Sequence, residues 1–347
     1  MQITISNAKV VIDLALSQCG IDEECRAIMI DSILFANQRG VMTHGIGRLP
    51  LYIHKIRAGH INPIDKVETV KDSGGTALLD AHNCLGQVAA YKATQIAIRK
   101  AKKYGVSAVG VRNSNNFGAA GYFGDIMARE NMIGIICANA APAIAPTGGT
   151  KTIFGTNPIC LAFPGGENED PVLLDMATTV AARGKIRLAA KNGEKIPLDW
   201  ANGPNGLPTN DPNEALKGSL LPIGGYKGYG LSLFVDLVSG LLTGSLYGGD
   251  VKNLSKLDED SGNGHFFIAI DTERYIKKND LENKMKSFRE RVKSCGSEGV
   301  VFLPGEKEYG VREKHNDTIE ISTTQFIEIN EVLSAMGIDK TLIQIEC

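Results

Sequence analysis

A histidine and an arginine four residues apart, His44 and Arg48, are the side chains best placed for chemistry on a small acid. Histidine moves a proton near neutral pH. Arginine holds a carboxylate at two points through its planar guanidinium. Reduction of a 2-oxo acid needs such a pair, a proton donor beside a carboxylate clamp. The plainer alternative is a helix-capping turn on which both side chains face solvent.

Glycines shape the backbone around this pair. Gly45 and Gly47 permit backbone angles that other residues avoid, so a tight turn is predicted at His44. Pro50 fits only the first turn of a helix, which places Arg48 near the start of the helix that follows.

Composition narrows the class of protein. The chain has 347 residues, 43% hydrophobic and 22% charged, with a net charge of −2. We expect a soluble globular protein with no nucleic-acid partner and no membrane span. The amino terminus lacks the pattern of a secretory signal, and no cysteine pair has CxxC spacing. The sequence therefore predicts a reduced, cytoplasmic protein. Five further histidines share no metal-ligand spacing, and we expect them at the surface or in the core, with no metal site: His54, His60, His82, His265 and His315.

Hydrophobic patterning predicts the organisation of the fold. The first 60 residues or so favour helices, and helical patterns return after about residue 271. Apolar runs between them predict strands at 76–80, 106–112, 132–138, 159–163, 172–174 and 265–270. This order indicates an α+β fold. We expect a helical domain of residues 1–75 completed by 271–347, with a domain of residues 76–270 inserted between them.

A dinucleotide-binding fingerprint is missing from the sequence. Neither strand 76–80 nor strand 106–112 is followed by G-x-G-x-x-G, and the P-loop pattern G-x-x-x-x-G-K-[ST] does not occur. A Rossmann dehydrogenase is therefore disfavoured.

Seven short motifs occur in order along nearly the whole chain: His44-Gly45 with Arg48, Asn113-Ser114-Asn115 with Phe117-Gly118, Gly155-Thr156-Asn157-Pro158, Asp175-Met176-Ala177-Thr178, Gly184-Lys185-Ile186, Gly224–Gly230 and Pro304-Gly305-Glu306. Together they resemble the type-2 malate/L-lactate dehydrogenase family. The resemblance implies a non-Rossmann NAD(P)-binding fold, a mostly antiparallel sheet joined to a discontinuous helical domain. It also implies a homodimer whose active site lies near the subunit boundary, and large apolar faces on the terminal helices point the same way.

The resemblance assigns roles to individual residues. His44 matches the acid/base histidine and Arg48 the residue that holds the substrate carboxylate. Tyr52, one helical turn after Arg48, either lines the same pocket or packs between helices. Thr156 is expected near both substrate and cofactor.

NAD or NADP is the expected cofactor. We expect it to contact Asn116, Gly118, Thr156, Asn157, Asp175, Met176, Ala177, Lys227, Pro304, Gly305 and Glu306. Three of these positions have a plain alternative. Asn157 can form an Asn-Pro turn, Asp175, which we expect to open a helical stretch, can be a helix cap, and Lys227 can be a solvated lysine on a flexible turn.

The sequence departs from the family pattern at Asn116, where the family usually has histidine. Asparagine forms hydrogen bonds but does not titrate, so His44 is left as the acid/base group. We expect an NAD(P)-dependent oxidoreductase for a 2-hydroxy acid, with malate/oxaloacetate preferred. Reduction of a cyclic imine or another 2-oxo acid, and a non-catalytic NAD(P)-binding sensor, stay open as alternatives.

Overall fold

The computed structural model describes residues 1–297, 299–315 and 317–338. The helices are α1 (Ile5–Ser17), α2 (Glu23–Gln38), α3 (Leu49–Arg57), α4 (Gly86–Tyr104), α5 (Ala120–Arg129), α6 (Arg183–Asn192), α7 (Pro212–Lys217), α8 (Tyr226–Asp236), α9 (Lys278–Lys293), α10 (Glu306–Lys314) and α11 (Thr323–Ala335). The strands are β1 (Gln2–Thr4), β2 (Glu68–Ser73), β3 (Thr76–Asp80), β4 (Val106–Ser114), β5 (Met132–Ala138), β6 (Ile159–Phe163), β7 (Val172–Met176), β8 (Ala201–Asn202), β9 (Ser219–Leu220), β10 (Asn263–Asp271) and β11 (Thr318–Glu320).

A seven-stranded sheet in the order β2-β3-β4-β10-β5-β6-β7 forms the centre of the molecule. Only β3 and β4 run parallel, and every other neighbouring pair is antiparallel. The expectation of a mixed fold around a mostly antiparallel sheet is therefore confirmed. The strongly apolar β5 and β10 are central strands, which is the position that continuous apolar runs favour.

Alanines allow α4 to approach the sheet closely. Ala89, Ala90, Ala93, Ala97 and Ala101 are fully buried on the face that α4 turns inward. Small side chains along one stripe let helix and sheet pack at short range. Helix α4 ends at Tyr104 and is followed by Gly105, whose φ of 88° suits glycine. Because α4 is firmly seated, the loop at its amino end has a fixed support.

Segments from both ends of the chain pack together. β1 pairs with β11 in an antiparallel two-stranded sheet. One apolar core joins Val11 of α1, Met29 of α2, Ile53 of α3 and Leu333 of α11. The domain bounds at residues 75 and 271 remain a prediction. Strand β2, before the first bound, hydrogen-bonds to β3 after it.

Helices α1 and α2 both begin at capping side chains, Thr4 and Asp22. The Asp22 carboxylate accepts a hydrogen bond from the Cys25 backbone N–H at 2.9 Å, as an N-cap does. Within the described residues, no helix is both apolar and long enough to cross a bilayer.

Candidate active site

A cavity of about 720 Å³ opens between the sheet edge and the helices from both ends of the chain. Its wall comes from the end of α2, the turn at His44, the loop after β4, the end of β5, strand β7 and the segment before α10. Nine residues expected at the site from the sequence line this cavity: His44, Asn116, Gly118, Thr156, Asp175, Met176, Ala177, Pro304 and Gly305. Residues 260 positions apart in sequence thus meet around one space.

The turn at His44 is held by close packing. His44 ends a one-turn 3-10 helix, Met42–His44, and a second one, Ile46–Arg48, follows. The predicted tight turn is present, but the predicted reason for its glycine is wrong. Gly45 has a φ of −84°, which other residues adopt. A Cβ at Gly45 would lie 2.2 Å from Asn37 Oδ1, so glycine is needed there for space.

His44 lines the cavity, and its ring has a nitrogen without a hydrogen-bond partner among the described residues. That nitrogen, Nδ1, is buried. Burial, and to a smaller extent the nearby charge of Arg48, lowers the pKa of His44 to about 4. At neutral pH the ligand-free imidazole is therefore uncharged. A half-buried, unpaired imidazole is able to exchange a proton with a ligand in the cavity.

Arg48 is oriented by the same turn but does not line the cavity. Its Nε donates a hydrogen bond to the Thr43 carbonyl at 2.6 Å. The two terminal nitrogens make no hydrogen bond or ion pair with any part of the chain that the structure describes. A guanidinium held by Nε alone keeps its two-nitrogen edge for a carboxylate.

Tyr52 is fully buried and lies outside the cavity wall. Its hydroxyl lies 2.9 Å from Asn116 Oδ1 and 2.7 Å from Gln87 Nε2. Asn116 does line the cavity, so Tyr52 reaches the site through Asn116.

Asp175 lies within β7, so the expectation that it opens a helical stretch is wrong. Its Oδ2 accepts a hydrogen bond from the Gly121 N–H at 2.7 Å, in the first turn of α5, which has no side-chain cap of its own. The carboxylate faces the open cavity, yet protein surrounds it closely, and this burial raises its pKa to about 6. A carboxylate here both caps α5 and offers acceptor oxygens to a ligand.

Three further residues expected at the site lie elsewhere. Asn157 is fully buried, and its amide bridges the Ala140 N–H at 3.0 Å and the Ser232 carbonyl at 2.8 Å. Lys227 is exposed at the start of α8, away from the cavity wall. Glu306 also points away from the cavity, and its carboxylate pairs with Arg289 at 3.1 Å.

The cavity wall also contains residues that the sequence did not mark as part of the site, among them Arg39 and His265. Arg39, only 7% exposed, lies over the Phe35 ring at 3.5 Å, with the Tyr309 ring 4.9 Å away. His265 stacks on Phe117 with ring centroids 4.7 Å apart, and its Nε2 lies 2.8 Å from Ser114 Oγ. Burial lowers the pKa of His265 to about 3, so it is uncharged. Nothing in its local sequence, the interior of an apolar strand, distinguishes it from a core residue.

Residues 300–309 close one side of the cavity. The Tyr309 hydroxyl donates to Asp125 Oδ1 at 2.8 Å, and Glu306 Oε2 accepts the Leu303 N–H at 3.0 Å. Asp125 also forms an ion pair with Arg129 at 2.7 Å. The Tyr309–Asp125 bond attaches the segment to α5, whereas the Glu306–Leu303 bond lies within the segment. No group of three or more candidate metal-ligating side chains is found in residues 1–297, 299–315 and 317–338.

Comparison with known proteins identifies the class to which this fold and cavity belong. Residues 3–330 match the family described as malate/L-lactate dehydrogenase. The chain belongs to that family, which confirms the resemblance seen in the sequence motifs.

The matches extend over nearly all of the chain. A malate/(S)-sulfolactate dehydrogenase from Methanothermus fervidus is 38% identical over 94% of this chain and 95% of its own length. The solved structure of a sulfolactate dehydrogenase from Methanocaldococcus jannaschii superposes with a TM-score of 0.91 at 39% identity, covering 98% of both chains. A (2R)-3-sulfolactate dehydrogenase (NADP(+)) from Chromohalobacter salexigens is 32% identical over 92% of this chain and 94% of its own. The family and these relatives make the chain a 2-hydroxyacid dehydrogenase.

Proposed function

We propose that this protein interconverts malate and oxaloacetate, or a close analogue, with NAD or NADP as coenzyme and His44 as acid and base. The observation that carries this proposal is the unpaired Nδ1 of His44 beside the half-free guanidinium of Arg48. One side chain supplies a proton and the other a fixed positive charge for a carboxylate, as a 2-oxo acid requires.

The residues around the cavity fit a nicotinamide dinucleotide. A volume of about 720 Å³ is within the roughly 300–1,000 Å³ typical of small-molecule sites. The Asp175 oxygens are acceptors suited to ribose hydroxyls, and the Thr156 hydroxyl adds a donor and acceptor. Gly118 and Gly305 line the cavity with φ of 78° and 93°, so backbone alone faces the ligand there. When bound, the coenzyme supplies or accepts the hydride.

The chain itself provides orientation and one proton. Arg48 holds the carboxylate next to the reacting carbon and so aligns the carbonyl with the coenzyme. His44, once protonated, gives its proton to the developing alkoxide in the direction of reduction. In oxidation the neutral imidazole, the form favoured by its low pKa, takes the hydroxyl proton.

Two acid groups on the substrate are favoured by the comparisons. The family is described by malate as well as lactate, and the relatives above are named for malate or sulfolactate, each with a second anionic group. Arg39 and Lys307 both line the cavity and are candidates to balance that second charge. A substrate with two acid groups therefore leads the proposal, and malate is the one that the family description names.

A homodimer is part of the proposal. One face of α1 and one face of α11 pack into the shared core, but Val10 and Leu14 of α1 are 41% and 40% exposed, so an interface on the terminal helices stays a prediction. Helix α8 and the short π-helix Leu237–Leu241 also present apolar side chains at helical spacing. Their exposed fractions are 39% for Leu231, 58% for Phe234, 43% for Leu237 and 53% for Leu241. A second copy covering this face would remove it from water.

We also infer a reducing, cytoplasmic setting. The six cysteines in the described part of the chain are all free thiols, and Cys25, Cys84, Cys137 and Cys160 are buried. Buried thiols without a disulfide framework are typical of proteins kept in a reducing compartment.

Turnover assays test the reaction directly. Loss of the near-ultraviolet absorbance of NADH and NADPH is followed with oxaloacetate, sulfopyruvate, pyruvate and a cyclic imine carboxylate. Oxaloacetate should give the highest kcat/KM. A higher kcat/KM for the imine would indicate an imine reductase and not a hydroxyacid dehydrogenase. Tight NADH binding without turnover of any compound would indicate a sensor.

A further inference from the structure

Asn116 is held with one end of its amide buried and the other toward the cavity. Its Oδ1 lies 2.9 Å from the Tyr52 hydroxyl and 3.2 Å from the Gly118 backbone nitrogen. Its Nδ2 forms no hydrogen bond within the described ranges, although the residue lines the cavity. A planar amide with its oxygen turned inward presents its N–H groups outward.

The direction of each hydrogen bond follows from one unambiguous donor. The Gly118 backbone N–H can only donate, so the Asn116 atom facing it is the carbonyl oxygen. Tyr52 must then donate its single hydroxyl hydrogen to that oxygen. With its hydrogen used, the Tyr52 oxygen accepts from Gln87 Nε2, which is 1% exposed. The hydrogen bonds therefore form a series in which Gln87 donates to Tyr52 and Tyr52 donates to Asn116.

The backbone at this position is as firmly placed as the side chain. Asn115 is fully buried, and its amide nitrogen lies 2.9 Å from both the Asn83 side-chain oxygen and the Cys84 carbonyl. Helix α4 begins against it. A Cβ at Gly86 would come within 2.3 Å of the Asn115 and Asn116 carbonyl oxygens, so only glycine permits this approach.

We propose that Asn116 is a catalytic residue, whose Nδ2–H donates a permanent hydrogen bond to the C2 oxygen of the substrate. This inference rests on the proposed function and deepens it. Donation from Tyr52 and Gly118 into Oδ1 polarises the amide, and hydrogen bonds in series strengthen one another. The outward N–H is therefore a stronger donor than that of a free asparagine. Tyr52 is a positioning residue that acts through Asn116.

His44 and Asn116 have separate roles at the C2 oxygen of the substrate. In reduction C2 would receive the hydride that a bound coenzyme supplies, and His44 would give a proton to the oxygen on C2. Asn116 keeps both of its hydrogens throughout and stabilises the negative charge that builds on that oxygen. Because the amide does not titrate, its contribution is the same across the working pH range.

Variants at position 116 test this assignment. Asn116→Ala removes the donor, and Asn116→Asp replaces it with an acceptor of similar shape. Loss of one donor to a developing oxyanion lowers kcat by roughly 10²–10³-fold. We expect that loss in Asn116→Ala, a larger one in Asn116→Asp, and an NADH Kd within about twofold of wild type in both. Asn116→His should give the pH profile of kcat/KM a second ionisation.

Tyr52→Phe tests this series of hydrogen bonds without changing a residue of the cavity wall. It should lower kcat by about 10-fold, leave the NADH Kd unchanged and leave the pH profile of kcat/KM in its wild-type form. Tyr122→Phe is the matched control, because Tyr122 is also buried but lies outside the cavity wall. It should retain wild-type kcat. Circular dichroism and thermal unfolding confirm that each variant is folded.

The outcomes separate this inference from the function beneath it. Wild-type turnover of a 2-oxo acid with an unchanged kcat in Asn116→Ala would overturn the role of Asn116 alone. A raised NADH Kd with normal kcat would place Asn116 against the nicotinamide instead, and would also overturn it. If wild type turns over no 2-oxo acid, the proposed function fails and the inference falls with it. If Asn116→Ala does not fold, an unchanged kcat in Tyr52→Phe would reject the proposed role of the hydrogen bonds from Gln87 through Tyr52 to Asn116.

Discussion

The side chain of Asn37 occupies the space in which a side chain on Gly45 would lie. A Cβ at Gly45 would come within 2.2 Å of Asn37 Oδ1. The same Oδ1 accepts a hydrogen bond from the Ile46 N–H at 2.6 Å, which ties the His44 turn to α2. The position of the acid/base group therefore depends on a glycine that makes room and an asparagine that fills it.

A double-mutant cycle tests this relationship. Gly45→Ala should lower the free energy of unfolding by about 1–3 kcal/mol, the usual range for overpacking. Asn37→Ala should lower it by about 1–3 kcal/mol, because the Ile46 N–H is left buried and unpaired. The double variant should lose less than the sum, since Asn37→Ala removes the atoms with which the new Cβ collides. Urea unfolding measures all three.

The control for this cycle is Gly310→Ala. A Cβ at Gly310 has no heavy atom within 4 Å, and the residue lies in α10. Alanine favours a helix over glycine, so this variant should be neutral or slightly stabilised. Strictly additive losses in the cycle would show that Asn37 and Gly45 do not share the space.

Removal of the imidazole tests the role of His44. His44→Ala should lower kcat by roughly 10²–10⁴-fold, the usual contribution of a general acid. The Kd for NADH should change little, because the imidazole serves the proton step. His54→Ala is the matched control, since His54 is an exposed histidine on the following helix α3. An equal loss of NADH binding in His44→Ala would assign His44 to the coenzyme or to the fold.

The low pKa of His44 predicts a pH dependence of substrate binding. Burial is the larger cause of the shift from 6.5 to about 4, and the Arg48 charge is the smaller. A substrate carboxylate on Arg48 offsets that charge, so binding should raise the pKa of His44. Between pH 4 and 6.5 the complex then binds more protons than the free protein, and affinity rises as pH falls.

Calorimetry measures this proton uptake. Titration of oxamate into the NADH complex, in buffers of different ionisation enthalpy, should show uptake below about pH 6.5 that fades toward neutral pH. The His44→Gln variant should show none. Proton release on binding, or uptake that persists in His44→Gln, would contradict the link between Arg48 and His44.

The sequence predicts a structural element correctly where a single local pattern determines that element. Continuous apolar runs located β5 and β10, and the mixture of glycine and proline located the His44 turn. The remaining features of the site depend on contacts between residues far apart in the sequence. Arg39 enters the wall only because Phe35 and Tyr309 flank it, and those two residues are 274 positions apart. Likewise, no local pattern shows that Asp175 caps a helix 54 residues earlier in the chain. Lys227 as a cofactor contact stays a prediction.

The exposed apolar face of α8 predicts how the proposed dimer is disrupted. Phe234→Glu places a charge at the centre of that face, and burial of an unpaired charge is strongly unfavourable. Light scattering should change from the mass of two chains to 37.2 kDa. Phe288→Glu is the matched control, because Phe288 is similarly exposed on α9. A wild-type protein that is a fully active monomer would remove the proposed shared site.

Arg48→Lys tests the substrate class. Arg48 is held by Nε on the Thr43 carbonyl, so its two terminal nitrogens are free to form parallel hydrogen bonds with a carboxylate. Lysine keeps the charge but cannot reproduce the two parallel bonds. Hydrogen bonds to charged groups contribute about 1.5–3 kcal/mol each. The part made equally in the ground state should raise KM, and the aligning part should lower kcat.

We therefore expect kcat/KM for the 2-oxo acid to fall by roughly 10²-fold or more in Arg48→Lys, with the NADH Kd nearly unchanged. The loss should be far smaller for the ester of the same acid, because the ester already lacks the carboxylate contact. Arg57→Lys, an exposed arginine at the other end of α3, should behave as wild type. If wild type prefers the ester, or if Arg48→Lys weakens only NADH binding, Arg48 does not hold a substrate carboxylate. The assignment of a hydroxyacid substrate would then be supported by family membership alone. Arg39 and Lys307 on the cavity wall would be the next candidates to bind the substrate carboxylate.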